Sequence, residues 1–292
     1  MSEYKVNLFI PGVGKAGTSS LHMYLNQHPN ICMSTIKEPH FFAVDAQYIK
    51  GAQFHNSLFN CDAKKDVKYF GESSTTYFLS EAAIERIKAN IKNPRFIFLL
   101  RNPIDRIYSH FYWIANAMGE KVLPFEEEIA EDMVLKFDPN LPLKSGAYKY
   151  YIQESSYGSA IEKYINRFGK ENIHLVTTER LKSEPLKVLN ECFEFLELPP
   201  MDKIIEKHEN ATPPARRLTT PSVLKRISFL FPDGLFRSAK NKILDKFYTR
   251  YEPVPVITES QRKWLKAILT PEVDKLRSLT GKQFREWPEF NT

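Results

Sequence analysis

The sequence has few cysteines and no long apolar run. Its three cysteines form no C-x-x-C pair, and an odd count argues against a disulfide framework or a cysteine metal site. We therefore expect free thiols, a reducing compartment and a cytoplasmic location. The apolar run "FIFLL" (96–100) is too short to span a bilayer. The first residues, "MSEYKVNLFIPG", lack a charged segment followed by a long apolar core, so no secretory signal is predicted.

The charge is basic but not concentrated. The formal net charge is +6 and the pI is about 9.0, which fits an anionic ligand or substrate. The lysines and arginines are scattered along the chain, so the charge does not indicate a nucleic-acid partner. A solvated basic surface explains the same numbers.

Apolar runs alternate with helical patterns along the first 200 residues, which predicts an α/β fold with a mainly parallel central sheet flanked by helices. Strands are predicted at 6–10, 31–34, 67–73, 95–100 and 172–176. Helices are predicted at 18–27, 80–92, 103–116, 161–168, 185–196 and 259–280.

The remaining segments carry weaker signals. Residues 117–145 are expected to be irregular, and no strand is expected after Pro199-Pro200. We interpret 1–292 as a single domain, with 201–257 as an extension or flap and 258–292 as a C-terminal helix and tail. Basic residues in the amphipathic stretch 222–242 also permit a peripheral membrane contact; they are Lys225, Arg226, Arg237, Lys240 and Lys242.

The stretch "FIPGVGKAGTSS" (9–20) resembles a nucleotide-triphosphate P-loop with its lysine displaced. Gly12 and Gly17 have the P-loop spacing, but Thr18 occupies the lysine position and the lysine is Lys15. Glycines and the following helix N-terminus favour phosphate or sulfate binding, with a tight strand–helix turn as the alternative. The strand that would carry a magnesium-binding aspartate is followed by Arg101, which argues against Mg-NTP chemistry.

Several segments together resemble sulfotransferases that use 3′-phosphoadenosine 5′-phosphosulfate (PAPS). The similarity is closest to the heparan-sulfate N- and O-sulfotransferase type and its bacterial relatives. The resemblance implies a P-loop-like three-layer fold, PAPS as co-substrate, PAP as product and no metal. It rests on "PGVGKAGTSSLHMYLNQHPNICMSTIKEPHFF" (11–42), "GESSTTYF" (71–78), "RNPIDRIYSHFYW" (101–113), "YGSAIEKYINRFGKENIHLVTTERLKSEP" (157–185) and "LTGKQFREW" (279–287).

The resemblance implies a donor site around the first loop. Lys15 would contact the bridging oxygen of the leaving group, where negative charge develops during transfer. Backbone and hydroxyl donors of the loop would hold the 5′-phosphosulfate. These residues are Gly14, Lys15, Ala16, Gly17, Thr18 and Ser19.

The resemblance also implies a clamp for the 3′-phosphate. Arg101 and Ser109 match the residues that grip this group, and a guanidinium with a hydroxyl suits a phosphate. Arg106 lies between them, and a surface pairing with Asp105 explains it equally well. Tyr157 matches an aromatic near the adenine, with core packing as the alternative. A late basic loop would add Arg216 and Arg217.

The motif "KEPHFF" (37–42) is similar to the acceptor-side motif of the glycan-modifying members. This implies that Glu38 is the general base and that His40 orients it or touches the acceptor. The alternative is a solvated loop pair. Relatives often have a lysine where this chain has Ser73, which argues against a heparan-like acidic acceptor. Phe42, Ser73 and Tyr77 are predicted to line the acceptor site, with core packing as the alternative for the aromatic rings.

The sequence therefore predicts a sulfotransferase acting on a hydroxyl or amine of a carbohydrate or small-metabolite acceptor, without a nucleic-acid partner. Two alternatives stay open. One is a P-loop phosphotransferase (a kinase), and the other is a catalytically silent nucleotide-binding protein.

Overall fold

The computed structural model describes residues 3–117, 122–143, 148–205, 215–218, 249–252 and 256–291. The basic stretch 222–242 and most of the predicted flap lie outside these residues. The proposed division into one domain with a flap therefore stays a prediction.

Five parallel strands form the central sheet, in the order β2-β3-β1-β4-β5. These strands are β1 (Leu8–Ile10), β2 (Ile31–Met33), β3 (Tyr69–Ser73), β4 (Arg95–Leu100) and β5 (Ile173–Thr177). The chain changes side at β1, which lies between β3 and β4. In open α/β sheets such a switch point opens a ligand-binding crevice at the carboxyl ends of the strands. The predicted parallel α/β architecture is confirmed.

Helices cover the sheet and join its strands. The first five are α1 (Thr18–Leu25), α2 (Asp45–Tyr48), α3 (Gly51–Asn56), α4 (Glu81–Asn90) and α5 (Pro103–Tyr112), which continues as a π-helical turn, Trp113–Ala117. The later ones are α6 (Phe125–Asp132), α7 (Tyr157–Phe168), α8 (Thr178–Ser183), α9 (Pro185–Phe195) and α10 (Glu259–Thr280).

Capping residues fix where these helices begin. The Ser80 hydroxyl accepts the Ala83 N–H at the start of α4. Asn102 accepts the first amides of α5, and Pro103 at the first helical position needs no acceptor. The α5 cap holds this helix directly after β4 and sets the position of its side chains beside the first loop.

The buried core is continuous across both faces of the sheet. β4 is buried from Phe96 to Leu100, as expected for a central parallel strand. Helix α7 approaches α10 closely at Gly158, where an added Cβ would lie 2.5 Å from the Glu272 carbonyl oxygen. The helix predicted from residue 161 begins four residues earlier, at Tyr157.

Three predictions were wrong. Helix α6 lies in the segment expected to be irregular; Phe125 and Ile129 bury one face of it, but the nearby prolines hid this short pattern. Two short antiparallel strands follow Pro199-Pro200, namely β6 (Ala215–Leu218) and β7 (Thr249–Glu252).

The third error concerns cysteine. Cys32 of β2 and Cys61, which follows α3, form a disulfide, and Cys192 is the buried free thiol. An odd count does not prevent one pair, and the fold brings together two residues that are 29 positions apart. The inference of a reducing compartment loses its support, so the cytoplasmic location stays a prediction. In the described ranges, no helix has the length and apolar character needed to cross a membrane.

Candidate active site

The glycine-rich loop joins the central strand β1 to α1. Gly17 precedes the helix in a left-handed conformation (φ +95°), which glycine adopts without strain. Within the described part of the chain, the amides of Thr18 and Ser19 donate to no protein acceptor. Such free amides, together with the helix dipole, attract an anion. The loop thus has the donors predicted for a phosphate or sulfate group.

Lys15 lies at the centre of this loop in a left-handed conformation (φ +69°). Its Nζ is 4.9 Å from the centre of the Trp113 ring, at the end of α5. Burial, with Arg101 and Arg106 nearby, lowers the pKa of the Lys15 ammonium to about 8. Lys15 is therefore a partly desolvated cation that an incoming anion would stabilise.

Arg101 lies at the end of β4, beside the same loop. Its Nη1 donates to the Lys15 carbonyl oxygen at 3.2 Å, so the two predicted anion-binding cations share one edge of the sheet. Ser109 is half-buried two turns into α5, and no hydrogen bond between it and Arg101 is present. Arg101 therefore lies beside Lys15. That Arg101 and Ser109 together bind a 3′-phosphate stays a prediction.

The structure gives specific contacts for two of the predicted donor-site residues, Gly14 and Tyr157. The Gly14 amide is already bonded to Glu154 Oε1 at 2.6 Å, so it is not a free donor. Tyr157 is fully buried, packs against Phe78 and Trp287, and donates from its hydroxyl to the Arg101 carbonyl. This geometry corresponds to the core alternative.

The backbones of Arg216 and Arg217 lie in β6, opposite Tyr251 and Arg250 of β7. Strand β6 runs beside the π-helical turn that carries Trp113. Their predicted contact with a phosphate stays a prediction.

Glu38 lies in the loop after β2, within reach of β3. Its amide donates to the Ser73 carbonyl at 2.9 Å, and Oε2 accepts the Thr75 N–H at 2.7 Å and the Thr75 hydroxyl at 3.1 Å. Oε1 is ion-paired with Lys37. The loop needs left-handed conformations at Glu38 and His40 (φ +58° and +51°), and these bonds hold it in place.

The charge state of Glu38 follows from its neighbours. Burial alone would raise the pKa of the Glu38 carboxyl, but Lys37, His40 and the Thr75 amide outweigh it and leave this pKa below its usual value. The side chain keeps 28% of its surface exposed. Glu38 is therefore an accessible carboxylate, as a general base requires.

His40 lies next to this carboxylate. Its Nδ1 is 2.9 Å from the Thr76 hydroxyl and 3.7 Å from Glu38 Oε2. Burial lowers the pKa of the imidazole, although Glu38 and Glu72 act in the opposite direction. The structure thus brings the predicted base and its predicted neighbour together.

Ser73 lies at the end of β3 and is fully buried. His22 of α1 bonds it through Nδ1 at 2.8 Å and the Ser34 carbonyl through Nε2 at 3.1 Å. Burial and then Lys37 lower the pKa of His22 to about 4, so the ring is neutral at pH 7. Because a carbonyl only accepts, Nε2 carries the proton and the Ser73 hydroxyl donates to Nδ1. Ser73 thus links α1 to the acceptor-side loops.

Phe42 and Tyr77, predicted to line the acceptor site, are both fully buried. The Phe42 amide donates to the Tyr77 hydroxyl at 2.9 Å. Both rings therefore belong to the packed core, which was the alternative to an acceptor-lining role, and they support the acceptor-side loops from the interior.

Sequence reasoning missed two residues of the site and misjudged a third. Trp113 and Glu154 carried no local signal. Arg106, for which a surface pairing was one of two interpretations, is fully buried beneath the first loop and donates to the Gly14 carbonyl at 3.0 Å. Arg106 shares the buried face of α5 with Ile107 and Phe111, and an arginine at such an apolar position is the sequence signal for a buried, paired charge.

The chain belongs to the sulfotransferase family, because a sulfotransferase domain model matches residues 5–213. It is 30% identical over 206 residues to heparan sulfate glucosamine 3-O-sulfotransferase 5 of Mus musculus, covering 70% of this chain and 56% of that protein. It is 25% identical to bifunctional heparan sulfate N-deacetylase/N-sulfotransferase 1 of Caenorhabditis briggsae, covering 66% of this chain and 23% of that protein. The chain thus spans about half, or less, of these curated relatives.

A crystal structure of a sulfotransferase from Alicyclobacillus acidocaldarius has the same fold, with a TM-score of 0.67 and 20% identity. The alignment covers 97% of this chain and 98% of that one. The predicted family and the P-loop-like fold are confirmed.

Proposed function

We propose that the protein transfers a sulfuryl group from PAPS to a hydroxyl or amine of a carbohydrate or small-molecule acceptor and releases PAP. The family membership supports sulfuryl transfer. The acceptor class rests on the heparan sulfate relatives and on the acceptor-side motif.

One observation carries the proposal. A lysine-bearing anion loop and an accessible carboxylate meet at the carboxyl edge of one sheet. Ile10, which precedes the loop, lies opposite Ser73 in the register of β1 and β3, and the Ser73 carbonyl holds the Glu38 amide. Burial raises the pKa of the Glu154 carboxyl, and the nearby Glu38 carboxylate adds to that rise; Glu154 is in turn bonded to Gly14. Base and loop therefore share one site.

The residues present fit a PAPS donor. The free amides of Thr18 and Ser19 and the Lys15 ammonium would hold the phosphosulfate, and Arg101 lies ready for a second anionic group. PAPS supplies an activated sulfuryl group on a phosphate leaving group.

Glu38 accepts the proton of the acceptor O–H or N–H while the new bond to sulfur forms. The sulfur–oxygen bond to the leaving phosphate breaks at the same time. Lys15 and the helix amides then stabilise the negative charge that develops on the phosphate oxygen.

Transfer of radiolabelled sulfur from PAPS into a panel of glycans and metabolites, followed by mass spectrometry of the products, tests the proposal. We expect labelled product and PAP in equal amounts. PAP binding without transfer to any acceptor would favour the silent nucleotide-binding protein. Turnover of ATP with Mg²⁺ and none of PAPS would favour the phosphotransferase.

A further inference from the structure

We propose that Arg106 and Glu154 form a buried clamp that positions the Gly14–Lys15 segment for catalysis. This inference rests on the proposed function, since it assigns the clamp a role in presenting Lys15 to the leaving group. Both residues act through the loop and are positioning residues.

The clamp grips one residue from both sides. Arg106 Nε donates to the Gly14 carbonyl oxygen at 3.0 Å, and Glu154 Oε1 accepts the Gly14 N–H at 2.6 Å. Arg106 Nη2 is ion-paired with Glu154 Oε2. Both polar groups of Gly14 are therefore held by a single ion pair, which fixes the peptide planes on either side of it.

The clamp is itself immobilised by the protein interior. The Arg106 side chain is fully buried and Glu154 keeps 11% of its side-chain surface exposed. Arg106 Nη1 donates to the carbonyls of Tyr150 and Tyr151, each at 2.9 Å. Arg106 Nη2 donates to His110 Nδ1 at 2.6 Å. Burial, followed by Arg106 and Lys15, lowers the pKa of His110 far below its usual value, so the imidazole can accept this bond.

Lys15 needs such support. A lysine in the left-handed region (φ +69°) is strained and stays there when its surroundings hold it. The clamp fixes the residue before it, and Arg101 bonds its carbonyl at 3.2 Å. Gly14 also has to be glycine for this contact, because an added Cβ would lie 2.8 Å from Glu154 Oε1.

The clamp also sets the charge around Lys15. The charged groups that act on its ammonium are Arg101 and Arg106, which lower its pKa, and Glu154, which raises it. Removing the Glu154 charge would leave Lys15 facing two uncompensated cations. The Lys15 pKa would then fall below about 8, and less of the lysine would be protonated at neutral pH.

The test compares Glu154→Gln with Glu154→Asp. We expect Glu154→Gln to lower kcat by about tenfold to 100-fold, since small displacements of catalytic groups have effects of this size. We also expect its kcat/KM for PAPS to decline at a lower pH than in the wild type. Glu154→Asp keeps the charge but withdraws the carboxylate from Gly14. It should lose kcat while the alkaline decline stays in place.

Glu128→Gln is the matched control. Glu128 is a buried carboxylate on α6 that accepts the Tyr151 hydroxyl at 3.1 Å and does not touch the loop. The Glu128→Gln variant should have a lower melting temperature and an unchanged pH profile of kcat/KM for PAPS.

PAP binding by calorimetry, measured together with sulfur transfer, separates a failure of the proposed function from a failure of the clamp. A wild-type protein that neither binds PAP nor transfers sulfur would overturn the proposed function. A wild type that does both, with Glu154 variants that match it in kcat and pH profile, would overturn the clamp alone. If Glu154→Gln does not fold, a Glu154→Asp variant with unchanged kcat is sufficient to reject the proposed clamp.

Discussion

The proposed donor side and the proposed acceptor side of the site are built in different ways. On the donor side, backbone amides and a buried ion pair surround Lys15, and the Arg106 side chain has no exposed surface. On the acceptor side, Lys37, Glu38 and His40 keep about a quarter of their side-chain surfaces exposed (25%, 28% and 27%). A donor that is the same molecule at every turnover suits one rigid cradle, whereas a more exposed acceptor side suits acceptors of different shapes. The comparison teaches that rigidity is concentrated where the ligand does not vary.

The largest effect is expected on the acceptor side. Glu38→Gln should lower kcat by about 10²–10⁴-fold, the usual contribution of a general base, while the affinity for PAP in calorimetry stays unchanged. The amide can still accept the Thr75 N–H, so the loop should keep its shape. Glu85→Gln on α4, which pairs with Arg167 at the surface, is the control. If the Glu38→Gln enzyme is active, another residue is the general base, and His40 is the next candidate.

On the donor side, Lys15→Ala should lower kcat by about 10²–10³-fold, because a positioned donor to the developing charge is removed. Lys15→Arg keeps the positive charge and should retain more activity. Steady-state rates with saturating acceptor are the measurement. Equal activity of Lys15→Ala and the wild type would show that the loop binds the donor without helping its departure.

A smaller effect is expected for Arg101→Ala. The affinity for PAP should fall by about 10-fold to 100-fold, in line with a hydrogen bond to a charged group. The analogue without the 3′-phosphate should lose much less affinity. Because Arg101 also bonds the Lys15 carbonyl, comparing the two ligands separates phosphate recognition from loop support. Equal losses for both ligands would contradict a 3′-phosphate site.

The pH profile should show the difference between the two sides. In the proposed mechanism Lys15 acts protonated, and its pKa in the free enzyme is about 8, so kcat/KM for PAPS should decline as the pH rises through 8. Glu38 acts deprotonated, and its lowered pKa puts the acid decline below its usual range. Lys15→Arg should shift the alkaline decline to higher pH. A decline that stays in place would assign it to another group.

Removal of the disulfide is expected to have the smallest effect on PAP binding. Cys32 belongs to β2, which leads to the acceptor loop, so Cys61→Ala should destabilise the protein by about 2–4 kcal/mol with unchanged PAP affinity. Thermal melting and PAP calorimetry measure the two quantities. Intact-mass measurement with and without reductant shows whether the bond is present. A large loss of PAP affinity would mean that the two sides are coupled through the sheet.

The features that could be predicted from the sequence depend on residues that are close together in the chain. The loop from Gly12 to Gly17 and the end of β4 at Arg101 were found because strand, turn and helix patterns span a few residues, and the motif around Glu38 was found through its resemblance to the family. The structure supplied the strand order, β2-β3-β1-β4-β5, which brings the loop, Arg101 and Glu38 to one edge. The identity of the acceptor was not encoded in such patterns.

The sequence alone determined the alternation of strands and helices and the anion loop, because periodicity, glycine spacing and helix caps act over short distances. The candidate base, Glu38, came from the resemblance of its motif to the sulfotransferases. Tertiary structure decided that Arg106 is buried, that Glu154 is bonded to a residue 140 positions away, and that Cys32 meets Cys61. These contacts depend on how the sheet and helices pack. No local pattern specifies which distant side chains will meet in the core.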